Sequence, residues 1–139
     1  MMASRAKEEL KRYVYEVQFH KEVVLEIKNI EAEIAKKASK YKSYYKSYSL
    51  EDKELVDKDI ERLNEALLRQ TDKLKSTEAF IAKVENTIAK IDQPLKNVLY
   101  FRYVKLYKYS AIAVKMGYSI QRIFQLNREA LKKYENFMQ

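Results

Sequence analysis

The chain has 139 residues with one glycine, one proline and no cysteine, which rules out a disulfide scaffold, a thiolate metal site and thiol catalysis, and disfavours turn-rich β architectures. Its 28 basic and 20 acidic side chains leave a formal charge of +8, and the excess is uneven. Nine Lys or Arg but only Glu129 and Glu135 fall from Leu95 onward, a balance of +7, against 19 and 18 in the first 94 residues. A positive end on a neutral body is the electrostatic signature of a polyanion binder.

No apolar run approaches the roughly 20 residues of a membrane span, so no membrane partner is expected. Met1 to Leu10 mixes charges of both signs and does not read as a signal peptide, and the lack of cysteine fits a reducing cytoplasm, so a cytoplasmic location is expected.

From Ala3 to about Tyr48 the pattern is heptad-like. Ala6, Leu10, Tyr13, Val17, His20, Val24, Ile27, Glu31, Ile34, Ala38, Tyr41, Tyr45 and Tyr48 alternate spacings of four and three, with His20 and Glu31 as its non-aromatic polar members. The single histidine reads as a seam residue, because no ligand or catalytic partner accompanies it. Lys36 to Lys46 interleaves lysines and tyrosines, with no acid from Ala35 to Leu50. Such a patch can grip nucleic acid. The simpler reading is that its tyrosines continue the seam while its lysines reach into solvent.

The chain must turn between Ser47 and Asp52, where Ser49 to Asp52 resembles a capping box with Asp in the acidic place. A second seam follows at Val56, Ile60, Leu63, Leu67, Gln70, Leu74, Thr77, Ile81, Val84, Ile88 and Ile91. Two heptad helices joined by a short turn predict an antiparallel hairpin. Its narrow interface leaves Val14, Val23, Leu25 and Leu68 over, so a homo-oligomer, dimer or higher, is expected.

Pro94 pushes the preceding residue out of the helical region, placing a boundary at Asp92 to Pro94. Three helices are predicted beyond it: Leu95 to Leu106, Ser110 to Met116, and Ile120 to about Phe137. Gly117 can take the positive φ of a tight helix-to-helix turn, and Ser119 is a natural N-cap. The fold class expected is therefore all-α: a long antiparallel coiled-coil hairpin over residues 1–92 that oligomerises, then a three-helix helix-turn-helix head over 93–139 that binds DNA. Residues 93–139 are expected to fold alone.

At about 100° per residue, Ile123, Leu126, Ala130 and Tyr134 fall on one face of the last helix. The opposite face carries Gln121, Gln125, Arg128 and Lys132, with Phe124 at its edge. Glutamine can pair with adenine, and an aromatic edge can touch a thymine methyl, so Gln121, Phe124 and Gln125 are the candidates for base readout. Lys108, Lys115, Arg122, Arg128 and Lys132 are the candidates for the DNA backbone.

Val98 to Val104 (VLYFRYV), then Ile112-Ala113, the Gly117-Tyr118-Ser119 turn and Ala130-Leu131 together resemble region 4 of bacterial sigma factors. They are still more similar to small phage transcriptional regulators of the ArpU and RinA type. The match covers about a third of the chain. Leu106 stands where the pattern has a small residue, and Ser110 and Ala111 where it has an acid. The resemblance implies a sequence-specific, double-stranded-DNA-binding transcription regulator, phage or prophage encoded and of the late-gene activator type. It also implies RNA polymerase as a second partner. Alternatives are a small-terminase-like packaging protein, whose DNA-binding head usually comes first, or a coiled-coil scaffold that binds no DNA. No nucleophile–base pair or phosphate-cradling loop is present, so no enzyme, cofactor, metal or small-molecule substrate is expected. Asp57 and Asp59 read as solvated surface charges.

Overall fold

A computed structural model describes residues 4–138, and among them the protein is all-α. Helix α1 spans Arg5–Tyr44 and ends in a 3-10 turn, Tyr45–Ser47; α2 spans Leu50–Ala89. Helix α3, Leu95–Leu99, runs into a π-helical turn, Tyr100–Val104. Helix α4 covers Tyr109–Met116 and α5 covers Ile120–Phe137. No proline or glycine interrupts the first 93 residues, which allows two 40-residue helices.

The ends of the long helices are chemically marked. Ser4 Oγ accepts from the Lys7 backbone N–H at 3.2 Å. At α2, Ser49 Oγ accepts from the Asp52 N–H at 3.1 Å, and Asp52 Oδ2 accepts from the Ser49 N–H at 3.4 Å. That is the reciprocal capping box expected from the sequence.

The antiparallel pairing of α1 and α2 is visible in cross-helix pairs that climb one helix while descending the other. Tyr13 donates to Glu85 at 3.1 Å, His20 Nε2 lies 3.2 Å from Glu78 Oε1, and Lys37 pairs with Asp59 at 3.6 Å. Asp59 is thus ion-paired across the hairpin rather than merely solvated.

The chain divides into two compact units, Met1–Gln18 with Ala79–Gln139 and Phe19–Glu78. In the second, Val23, Ile30 and Thr77 are buried, while His20, Val24, Ile27, Ile34, Leu63, Leu67 and Gln70 are half-buried. Glu31 and Ala38 are exposed, unlike the seam expected from sequence. A 3.5-residue repeat falls midway between two positions every other step, and apolar Ile30 takes the inward place over charged Glu31. Tyr41 and Tyr48 are half-buried with ring centroids 5.9 Å apart, and Lys37 of the basic patch is the residue bound to Asp59. Ala3 and the Tyr45 side chain, both placed in the seam region by sequence, lie outside the described residues.

In the first unit, one core joins Ala6, Leu10, Tyr13, Val84, Ile88 and Ile91 of the long helices to Leu99, Tyr103, Ala130 and Tyr134. Tyr134 is fully buried and donates to Glu9 Oε2 at 2.7 Å, and Glu9 Oε1 pairs with Lys83 at 2.9 Å. Burial, then the Glu9 carboxylate, holds the Tyr134 hydroxyl well above its ordinary pKa. Burial and Glu85 likewise push Tyr13 up to about 12. Glu135 of α5 closes the unit: its Oε1 accepts from the Arg5 and Ala6 N–H groups at 2.8 and 3.3 Å, two of the donors a helix start leaves unpaired. A second core of Val98, Ile112, Ala113, Ile123 and Leu126 packs the short helices together.

Among the described residues, two take a left-handed backbone, Leu106 at φ 61° and Gly117 at φ 72°. Leu106 follows the π turn, in which the Lys105 N–H bonds the Tyr100 carbonyl, and it stands where the sigma-like pattern has a small residue. A β-carbon at Gly117 would meet nothing within 4 Å, so a side chain there costs backbone strain alone. Gly117→Ala should therefore lose about 1 kcal/mol in urea unfolding, whereas Leu106→Gly should lose little or gain about 0.5 kcal/mol. Equal losses at both sites would contradict the two backbone conformations.

Candidate nucleic-acid interface

The turn into α5 is built from its own residues. The Gly117 and Tyr118 N–H groups both bond the Ala113 carbonyl, at 2.9 and 3.1 Å, which closes α4 in a left-handed cap. Ser119 follows in extended conformation, and its Oγ accepts from the Arg122 N–H at 3.1 Å, starting α5. Helix α4 begins at Tyr109, one residue earlier than the sequence suggests.

Ile123, Leu126, Ala130 and Tyr134 are all buried, with Asn127 beside them, so the orientation of α5 is set by its apolar stripe. Every candidate contact residue lies outside that stripe: Gln121, Arg122, Phe124, Gln125, Arg128 and Lys132 on α5, Lys115 on α4, and Lys108 just before it are exposed. Both acids after Leu95 lie exposed on this helix, and Glu135 is committed to the start of α1.

The candidates are not equally free. Arg122 donates to Gln125 Oε1 at 3.3 Å, which orients the amide and leaves its NH2 and one oxygen lone pair available. Phe124, 40% exposed, meets the Tyr109 ring edge-on with centroids 5.0 Å apart. Lys115 Nζ lies 5.0 Å above the Tyr107 ring. No such anchor is present for Lys108, Arg128 or Lys132 among the described contacts.

Sequence reasoning passed over the layer beneath. Tyr109 sits between Phe124 and the Arg102 guanidinium, which stacks 4.2 Å from its ring and donates to the Tyr107 carbonyl at 3.1 Å. Asn127 donates to the Tyr109 hydroxyl at 3.4 Å, whereas the buried Asn127 Oδ1 and Tyr103 hydroxyl have no well-formed hydrogen bond. Burial first, and Tyr109 next, raise the pKa of Tyr103, with Asn127 and Arg102 opposing. The signal for Asn127 was its spacing: it falls four residues after Ile123, on the apolar stripe.

Among the described residues, no group of three or more His, Cys, Asp or Glu side chains is placed to hold a metal, and no helix is long and apolar enough to cross a membrane. What the surface of α5 offers is amide and aromatic groups near its start and cations along its length. Compared with known protein families, curated proteins and solved structures, the chain finds no match in any of the three.

Proposed function

We propose that this protein is a sequence-specific DNA-binding transcription regulator whose α5 enters the major groove of double-stranded DNA. The observation that carries the reading is the sorting of α5: Ile123, Leu126, Ala130 and Tyr134 of its stripe are buried, while the three candidate base readers and the cations Arg122, Arg128, Lys132 and Lys133 are exposed. Gln121, Phe124 and Gln125 lie in the first two turns, where a recognition helix usually meets bases. Lys108, Lys115, Arg122, Arg128 and Lys132 surround them as phosphate contacts. The likeness to sigma region 4 and to ArpU- and RinA-type regulators supports a phage or prophage origin and a late-gene activator role, with RNA polymerase as a second partner and the cytoplasm as the site of action. On this reading the protein catalyses no reaction.

The test is binding of the full chain to a random-sequence duplex across a salt series. If all five cations meet phosphate, log K should fall with log salt with a slope of about −4.5 for each bound head. No detectable binding, or binding insensitive to salt, would count against DNA as the partner.

A further inference from the structure

We infer that Phe124 and Tyr109 form a subsite for the C5-methyl group of thymine, in which Tyr109 is the positioning residue that fixes the Phe124 ring. The inference rests on the DNA reading and deepens it. Phe124 lies on the border between two surfaces of α5. Three and four positions away along the helix, its neighbours are Gln121 and Arg128, both exposed, and Ile120 and Asn127, half-buried and buried. A phenylalanine at such a border can turn its ring toward either surface, because its χ1 rotamers point in different directions. The contacts of the ring decide which.

Those contacts lead to Tyr109. The two rings stand 70° apart with centroids 5.0 Å from one another, within the T-shaped arrangement that aromatic pairs favour. Tyr109 is itself held at its ring and at its hydroxyl. The Arg102 guanidinium stacks 4.2 Å from the ring while donating to the Tyr107 carbonyl at 3.1 Å. Asn127 donates to the hydroxyl at 3.4 Å, and the ring packs against the core of Ile112 and Ile123. Stability alone does not account for Asn127. It is buried on the apolar stripe, and its Oδ1 has no well-formed hydrogen bond. An unpaired buried carbonyl is destabilising, and an apolar side chain at this position would avoid that cost. What the amide supplies is the bond to Tyr109.

The chemistry of the exposed ring names its ligand. Phe124 leaves part of its ring open beside Gln121, within the first two turns of α5. In the major groove the bases present hydrogen-bond donors and acceptors, and thymine adds a methyl group. A phenyl ring has no hydrogen-bonding group to offer the former, so the methyl is the feature it fits. Fixing the ring before DNA arrives spares the rotamer entropy that a free side chain would lose on contact.

Deoxyuridine tests this in the full chain, because it lacks only that methyl. In a preferred duplex selected from a random pool, each thymine is replaced by deoxyuridine in turn. Replacement at one position should weaken binding by the parent about fourfold, the worth of one buried methyl. Phe124→Ala should abolish that preference, and Tyr109→Leu, folded by circular dichroism, should at least halve it. Independently of any variant, NMR couplings in the free parent should show Phe124 in a single χ1 rotamer. Three results would each overturn the subsite while leaving the DNA reading in place: a parent that binds its duplex yet tolerates deoxyuridine at every position, a folded Tyr109→Leu protein whose preference falls by less than half, or a Phe124 averaged over rotamers. A parent that binds no duplex would remove both.

Discussion

Replacing Leu10 by alanine is expected to lower the stability of the protein by about 2–5 kcal/mol, the range for truncating a fully buried leucine. The loss should appear at the far end of the chain as well as in α1. Leu10 is completely buried in the core that also contains Leu99, Tyr103, Ala130 and Tyr134. Amide exchange should consequently quicken in α5 along with the first turns of α1 and the last turns of α2. The same packing revises the expectation that residues 93–139 fold alone. Cut from the long helices, that fragment would expose Tyr134, leave Glu135 without the α1 donors it binds, and keep only the smaller core around Ile112 and Ile123. It should show little cooperative unfolding. Unchanged exchange in α5 of the Leu10→Ala protein would mean that the cores are energetically separate.

The local features of the fold were legible because each is decided by a few consecutive residues. Ser49 and Asp52 cap α2, Gly117 adopts a left-handed backbone and Ser119 caps α5, since each solves a backbone problem with atoms close by in sequence. Periodicity also chose the right face of α5, where Ile123, Leu126, Ala130 and Tyr134 are buried. It did less well in α1, where a half-integer repeat could not choose between Ile30 and Glu31, and hydrophobicity had to. What no pattern could supply was the identity of the opposing surface. Periodicity places Tyr134 inside without Glu9 as its acceptor, and the charge balance includes Glu135 without its hold on the start of α1. These partners lie more than a hundred positions apart in sequence, and no local signal joins them.

In the candidate interface, exposure was readable from the apolar stripe, but mutual anchoring was not. The Arg122–Gln125 bond follows an i, i+3 spacing and could have been anticipated. The contact of Phe124 with Tyr109 could not, because it depends on how α4 crosses α5. The π turn at Tyr100–Val104 and the left-handed Leu106 were also hidden, as the segment carries no glycine to mark them.

Separating base reading from charge on α5 tests the central claim most directly. Gln125 is exposed and oriented by Arg122, and Lys132 is exposed two turns farther along; neither lies on the buried stripe, so both alanine variants should fold like the parent. On a preferred duplex selected from a random pool, Gln125→Ala should lose roughly 1–3 kcal/mol of binding free energy and tolerate more bases at one position. Its affinity for random DNA should hardly change, because non-specific binding is almost wholly electrostatic. Lys132→Ala should weaken both duplexes alike and reduce the salt slope by about one. Two variants that bind both duplexes as the parent does would show that α5 is not the recognition helix.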